Sequence, residues 1–573
     1  STLKFFRKKK IHTPEEKKEL RKMRLWGILS GLLLGISFPP FPFPFTLFLF
    51  FAFVPYFFIL EKKEKLAAVN RFTYITFFIF NLITIYWVGS WTKEADPFLM
   101  AGGFILLFLN TSFFLIPSTL YYFSSKTLGK KSAFWLFPFF WVSYEYLYML
   151  TDASFPWLTL GNGMSHFNKF IQIADTIGAL GLSLITVYVN VLIYIALRNY
   201  FTEKKINYPA AAGALLLIAL PVAYGYYVTS SFTPSQDKIK VAMIQPNLDP
   251  WEKWNNSDIM SLAEEYIELS RKAVKAGGTD VVFWPETALP VYLRDGSYQR
   301  VIDTIYSFIR KNNVYLVTGM PDFVFYSDVN AAPADAKKSR NGNYSYATYN
   351  SVLLFSPYTN HIERYGKMKL VPFGERVPFV DALPFLGDFI KWNVGISGWN
   401  VGRDTLVFSL AKINRSPGAS LNDSVKINSL VCFESVYPAF VAAFAQKGAQ
   451  LISVVTNDSW YGNSSGPYQH KEIGVLRAVE NRRTVVRAAN GGISTIIDPL
   501  GRTIAETKMF TRTFLTGEVS LEKHLTFFSK HPLMIPWASL TVSVFTIMLF
   551  IVFKFKRLFN KTSESDSTLN SEL

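Results

Sequence analysis

A carboxylate, an amine and a thiol stand along this chain in an order that covalent acyl chemistry can use. Glu286 closes the run Val281-Val282-Phe283-Trp284-Pro285-Glu286, Lys367 follows 81 residues later in Tyr365-Gly366-Lys367-Met368, and Cys432 comes 65 residues after that in Leu430-Val431-Cys432-Phe433-Glu434. A free thiol with a pKa of about 8.5 is largely protonated at neutral pH, so as a nucleophile it needs a base or a positive neighbour. Glu286 can take that proton and later return it to a leaving group. Lys367 can hold a fixed positive charge beside the oxyanion of an attacked carbonyl. Each residue alone has a plainer reading: a capping or solvated Glu, a surface Lys, a small buried apolar Cys. Their order, each near a strand end, joins them. Cys432 is the only cysteine in 573 residues, which excludes an intramolecular disulfide and any multi-cysteine metal site. His166 has no His or carboxylate at ligand spacing, and no glycine-rich phosphate loop appears, so neither metal nor cofactor is expected.

These residues need a scaffold, and composition points to a membrane. Half of the chain is hydrophobic and 17% is Phe, Tyr or Trp, above ordinary globular usage. The formal charge of +17 sits largely in short clusters beside apolar runs, which favours a positive-inside signal over nucleic-acid binding. Seven apolar segments precede residue 232, at 22–38, 45–60, 71–92, 99–123, 132–149, 174–197 and 209–229, and an eighth covers 532–553. A span needs about 20 residues, so the first two are short. No small-residue cleavage site follows the first run, which ends in Pro39-Pro40-Phe41-Pro42, so an uncleaved span is expected. With the N-terminus inside, the loops with Lys62, Lys63 and Lys65, with Lys126, Lys130 and Lys131, and with Arg198, Lys204 and Lys205 fall on the cytoplasmic side, and the alternate loops carry little charge. The expected division is a cytoplasmic segment 1–21, a seven-span domain 22–231, an outer domain 232–528, an eighth span 529–555 and a cytoplasmic polar tail 556–573. Within 232–528, short β-branched runs such as Lys238 to Gln245 and Leu451 to Thr456 alternate with helical patterns such as Ile259 to Ala276, which predicts a layered α/β domain.

The three segments resemble the Glu-Lys-Cys triad of the nitrilase, or carbon-nitrogen hydrolase, superfamily. A longer set resembles the bacterial apolipoprotein N-acyltransferases, a membrane-anchored branch of it: Leu370-Val371-Pro372-Phe373-Gly374-Glu375-Arg376-Val377-Pro378, Cys432-Phe433-Glu434, Thr456-Asn457-Asp458-Ser459-Trp460-Tyr461, Arg487-Ala488-Ala489-Asn490-Gly491-Gly492, and, in the membrane part, Phe155-Pro156-Trp157 and Gln172-Ile173-Ala174-Asp175. The resemblance implies a helical transmembrane bundle of about eight spans joined to a nitrilase-like α/β sandwich with αββα layers. It implies a multi-pass protein of the bacterial cytoplasmic membrane, with the catalytic domain on the periplasmic side and both termini cytoplasmic. It also implies a two-stage reaction: Cys432 takes an acyl chain from a phospholipid as a thioester, and the α-amine of a diacylglyceryl-cysteine on an apolipoprotein removes it as an amide. A monomer with no cofactor is expected.

Around the triad, Glu375, Glu434 and Phe433 are candidates to orient Lys367, the oxyanion or the incoming group. Trp254, Phe373, Trp460 and Tyr461 are candidates for substrate contact. The glycine-containing stretch from Phe379 to Gly402 suits a lid or an ordinary long connection. Glu145 and Asp175 lie in or beside apolar runs, where ionisable residues usually have a function, although Asp175 also fits the first turn of a helix. Two other readings remain at this point. One is a membrane-tethered amidase or nitrilase acting on a small carbon-nitrogen substrate; the other is a scaffold or transporter in which the triad is structural.

Overall fold

The computed structural model describes residues 13–91, 97–256, 258–339, 341–379, 398–411 and 424–569. Most of the stretch considered as a lid (380–397), the basic Lys8-Lys9-Lys10 and residues 570–573 lie outside the described residues. The N-terminal part is helical: α1 (Pro14–Ile36), α2 (Val54–Lys62), α3 (Leu66–Thr84), α4 (Pro97–Phe113), α5 (Leu115–Leu128), α6 (Lys130–Met149), α7 (Asn168–Ile171), α8 (Ala174–Glu203) and α9 (Tyr208–Ser231). Among the described residues six stretches are long and apolar enough to cross a membrane: Phe45–Lys62, Leu66–Thr84, Leu99–Leu128, Ala174–Glu203, Tyr208–Ser231 and Met534–Lys556. The chain is thus a multi-pass membrane protein. Of the eight expected spans, α1 and α6 are helical but less apolar. The first half of α1 is rich in Lys and Glu, and α6 carries two lysines, Glu145 and several Tyr and Trp. Both still pack inside the bundle, α1 on α3 and α6 on α5 and α8. Buried amides tie the helices together: Asn110 donates to Asn81 at 2.5 Å and accepts from Tyr148 at 2.8 Å. Such interhelical bonds satisfy polar groups where no water reaches.

The remainder adds α10 (Pro250–Asn256), α11 (Ile259–Gly277), α12 (Gln299–Asn312), α13 (Pro438–Gln446), α14 (Ser465–Asn481), the short α15 (Phe527–Lys530) and the last span α16 (Met534–Leu569). Its strands are β1 (Lys238–Gln245), β2 (Val281–Trp284), β3 (Tyr315–Tyr326), β4 (Lys337–Lys338), β5 (Ser345–Phe355), β6 (Glu363–Gly366), β7 (Phe408–Leu410), β8 (Val425–Val431), β9 (Leu451–Thr456), β10 (Val485–Ala489), β11 (Thr495–Ile497), β12 (Thr503–Glu506) and β13 (Thr513–Ser520). One sheet runs β13-β1-β2-β3-β5-β4 with β6 on β5, and the other runs β12-β11-β10-β9-β8-β7. The central strands β1, β2 and β3, and likewise β8, β9 and β10, are parallel.

Period-two alternation builds the layers. Ile239, Val241 and Met243 of β1 join a core shared with Val454 and Val485 of the other sheet, while Ala242 and Ile244 join a separate core with Leu262, Tyr266 and Ile305 of α11 and α12. With both faces covered, β2 and β9 are buried throughout and mostly apolar, as buried parallel strands are. The result is the expected αββα sandwich.

The sandwich is tied to the bundle by buried polar contacts. Arg482, the left-handed residue ending α14, donates to Asp175 at 2.7 Å and to the side chain of Gln172 at 2.6 Å. Asp175 opens α8 and also accepts from Tyr224 of α9. It is thus a tether between the two halves. Losing one partner of a buried pair leaves an uncompensated charge, at a cost of roughly 3–5 kcal/mol. Arg482→Met is expected to lower the thermal unfolding midpoint in detergent clearly; an unchanged midpoint would contradict this role.

Candidate active site

Glu286, Lys367 and Cys432 each sit one or two residues beyond a strand, after β2, β6 and β8, and all three line one cavity of about 100 Å³. Trp254, Phe373, Glu375, Trp460 and Tyr461 are in its wall too, as are Val88, Leu99, Gly102, Gly103 and Leu106 from the membrane part. One side of the cavity is charged and the other is built from α4 and the turn before it.

The charged side is a closed network. The Lys367 ammonium lies 2.8 Å from Glu375 Oε1 and 3.4 Å from Glu286 Oε1. The Asn350 amide donates to both carboxylates, at 2.7 Å to Glu286 and 2.9 Å to Glu375. The second oxygen of Glu286 accepts from Asn457 N–H at 3.1 Å, and that of Glu375 from Val371 N–H at 2.8 Å. Burial disfavours the ammonium of Lys367, but Glu375 and Glu286 outweigh it and hold its pKa above the usual lysine value. Lys367 therefore stays charged at any working pH.

Cys432 opens a short 3-10 turn directly after β8, with φ of 50°, a left-handed value that a side-chain-bearing residue holds only when its surroundings impose it. Its carbonyl accepts from Ser435 Oγ at 2.9 Å and from His470 Nε2 at 3.1 Å. Behind His470 stands Asp458, 2.9 Å from His470 Nδ1, which also accepts from Thr456 Oγ1 and from the guanidinium of Arg487. Burial works against this carboxylate, yet Arg487 and His470 hold it well below the usual carboxylate range. Burial and the charge of Glu286 push the Cys432 thiol up, with Lys367 opposing. Cys432, Asp458 and His470 bring ligand-type atoms within 4.8 Å of one another. Those of Asp458 and His470 are already engaged with Arg487, Thr456 and the Cys432 carbonyl, and a guanidinium beside them repels a cation, so the group does not suit a metal.

Glu375 orients Lys367 directly. Glu434, by contrast, makes no hydrogen bond to Lys367. Its Oε1 accepts from Tyr365 O–H at 2.7 Å and Met368 N–H at 2.6 Å, and its Oε2 from Val431 N–H at 2.8 Å. It thereby clamps the loop carrying Lys367 to the strand carrying Cys432. Burial raises its pKa to about 7 against these donors. Phe433 turns away from the cavity wall and stacks on Phe155 and Trp157 of the membrane part, at centroid distances of 5.7 and 6.4 Å.

Sequence reasoning missed several residues. Asn350 and Lys253 were not singled out, and Asn457 only as part of a longer motif. Lys253 is buried and donates to the carbonyl of Thr287 at 2.6 Å, next to Glu286; burial draws its pKa down to about 8 despite Glu286. Gln469 and His470 looked like routine helix residues. The same helix carries Lys471, Glu472, Arg477 and Glu480, so no apolar contrast marked them out. A raised thiol stays a small fraction thiolate, growing about tenfold per pH unit. Alkylation of Cys432 by iodoacetamide should therefore accelerate through pH 9 without levelling off; a plateau below pH 8 would contradict a raised thiol.

Residues 240–524 match the family model described as carbon-nitrogen hydrolase, and residues 30–192 match that of the apolipoprotein N-acyltransferase N-terminal domain. An apolipoprotein N-acyltransferase of Chlorobaculum tepidum is 34% identical over 523 residues, covering 90% of this chain and 94% of the relative. One of Geobacter metallireducens is 32% identical over 528 residues, covering 90% and 93%. Among solved structures, an amidase from Nesterenkonia sp. aligns at 15% identity and a TM-score of 0.33 over 51% of this chain and 93% of its own. With both halves matched and relatives of this identity spanning nearly the whole length, the chain belongs to the apolipoprotein N-acyltransferase family.

Proposed function

We propose that this chain transfers an acyl group from a membrane phospholipid to the α-amine of the diacylglyceryl-cysteine of an apolipoprotein, through a thioester on Cys432. The observation that carries this reading is the composition of one cavity: Glu286, Lys367 and Cys432 on one side, Leu99, Gly102, Gly103 and Leu106 of a membrane helix on the other. An acyl chain needs the apolar side and its ester carbonyl needs the charged one. A small-molecule amidase would use the triad and leave the wall from α4 without a purpose.

In the first stage Glu286 takes the thiol proton as Cys432 Sγ attacks the ester carbonyl. Lys367, charged throughout, stabilises the oxyanion. The intermediate collapses by breaking the C–O bond, and Glu286 returns the proton to the leaving oxygen, releasing a lysophospholipid. In the second stage the acceptor amine attacks the thioester, Glu286 receives its proton, the C–S bond breaks and the proton passes to the thiolate. An amide and the free thiol result. Glu375 and Asn350 keep Lys367 and Glu286 in register, and Glu434 and Phe433 hold the segments that carry the reacting groups. Trp254, Phe373, Trp460 and Tyr461 shape the entrance for lipid. Water must be kept from the thioester, and a lipid-facing mouth does that. Basic loops on one side of the bundle support an outer-facing catalytic domain, approximately 232–528, with both termini cytoplasmic.

Incubating the purified protein with phospholipid alone should add one acyl mass to Cys432, visible by intact mass. Cys432→Ala should show none, and Glu286→Gln should slow the adduct by about 10²–10⁴-fold; an adduct that survives Cys432→Ala sinks the thioester. The slot itself can be tested at Gly102, where a Cβ would meet only Phe373 Cβ at 3.8 Å. Gly102→Leu should fit the helix, fill the slot and slow acylation by a palmitoyl ester while sparing an acetyl ester; equal rates with both would place the chain elsewhere.

A further inference from the structure

A second cavity of about 260 Å³ adjoins the catalytic one, with Pro372 in the walls of both. It is formed by the end of α6 and the following turn, by the loop after Lys367, and by Tyr437. Two cations line it, Lys369 and Arg376, with one acid, Asp152. Lys369 is half-buried, and its ammonium lies over the Tyr437 ring at 5.1 Å. No described carboxylate comes within the 4.0 Å of an ion pair with it, whereas Arg376 has Asp335 at 3.7 Å. Burial lowers the Lys369 pKa, with Glu434 and Asp152 acting against it. A desolvated ammonium without an adjacent counter-ion is costly, and an anion arriving in the cavity removes that cost.

The far side of this cavity meets a third, of about 190 Å³, that shares Lys369 and Tyr437 and is otherwise walled mainly by apolar groups such as Phe440, Phe528 and Leu533 near the start of α16. A charged recess at the bilayer edge, with an apolar recess on either flank, has the shape of a diacyl glycerophosphate. We propose that Lys369 and Arg376 bind the phosphate of the phospholipid acyl donor, with its retained acyl chain in the apolar recess by α16. This rests on the acyl transfer proposed above and specifies its donor site. Asp152 in the same wall disfavours a second negative charge, so a phosphodiester with one charge suits the site better than a phosphomonoester with two. The acceptor carries no phosphate, so these cations act in the first stage only.

The test follows thioester formation on the full-length protein in detergent, with dipalmitoyl phosphatidylglycerol as one donor and p-nitrophenyl palmitate, which lacks phosphate, as the other. Lys369→Ala should slow acylation by the phospholipid about tenfold or more, the usual loss for a charge-assisted contact, and leave the nitrophenyl ester unaffected. Lys369→Arg should retain the phospholipid rate. Dipalmitoyl phosphatidic acid should be the poorer donor for the wild type. Equal losses with both esters, or no loss with the phospholipid, would overturn the phosphate site while leaving the thioester intact. Absence of any wild-type adduct would overturn both proposals. Millimolar inorganic phosphate should inhibit neither ester; inhibition of both alike would assign the cations to a free anion and overturn the lipid assignment.

Discussion

Two neighbouring side chains, Gln469 and His470 in the second turn of α14, join the membrane bundle to Cys432, and both are buried. The Gln469 carbonyl accepts from the indoles of Trp87 and Trp157 at 3.1 and 2.7 Å, and its amide donates to the carbonyls of Pro39 and Thr84 at 2.8 and 3.0 Å. Those four partners come from three separate segments of the membrane part, at Pro39, at Thr84 to Trp87 and at Trp157. An amide has two donors and two acceptor sites, so this one is fully used. His470, one residue on, donates to the carbonyl of Cys432. A buried polar network of this kind is stabilising only when complete, because each missing partner strands another group in a low dielectric. The seating of the bundle and the backbone angle at Cys432 are therefore parts of one arrangement.

The charged side of the cavity obeys a second constraint. Three carboxylates, Glu286, Glu375 and Glu434, are buried near Lys367, the one ammonium among the described residues that bonds to any of them. Coulomb attraction to one lysine cannot satisfy three anions, and the structure divides the work by donor type. Glu286 and Glu375 share Lys367 and the amide of Asn350, whereas Glu434 is satisfied by backbone N–H groups and a tyrosine hydroxyl. That separation leaves Glu286 in the wall of the cavity that Cys432 also lines and Glu434 committed to holding two chain segments together.

Much of this was legible in the chain itself, and the failures have physical causes. Glu286 and Cys432 stood out because each follows an apolar run that had to be a strand, and strand ends in layered folds face the site; Lys367, after the polar strand Glu363–Gly366, was joined to them by its order along the chain and by the motif around it. The strand at Tyr315 was expected to stop at Gly319, since Pro321 and Asp322 break the apolar pattern. It continues to Tyr326, because antiparallel pairing with β5 supplies partners along its whole length. The strand β13 was missed: its residues are mostly half-buried, so Thr513 to Ser520 shows little apolar contrast, and only its pairing with β1 defines it. The role of Glu434 was open for a similar reason. A motif places a carboxylate in the chain but says nothing of which way it turns, and this one turns back onto its own backbone. Glu145 and Asp175 were rightly singled out as costly in an apolar setting, yet both are tethers: Glu145 accepts from Trp141 and from Leu160 N–H, at 2.9 and 2.8 Å.

That last point connects the membrane half to the chemistry. Glu145 fixes the segment from Phe155 to Gly163 against α6, and from this segment Phe155 and Trp157 reach up to stack on Phe433. Phe433 is bonded directly to Cys432, and Trp157 also packs on His470 at 5.3 Å. The surroundings of Cys432 are thus shared: Ser435 and the Asp458-backed His470 of the sandwich bond its carbonyl, and Phe155 and Trp157 of the bundle pack on Phe433 and His470 beside it. The membrane helices of this chain consequently do more than anchor the sandwich: they build one wall of the cavity that Cys432 lines and pack against the residue next to it.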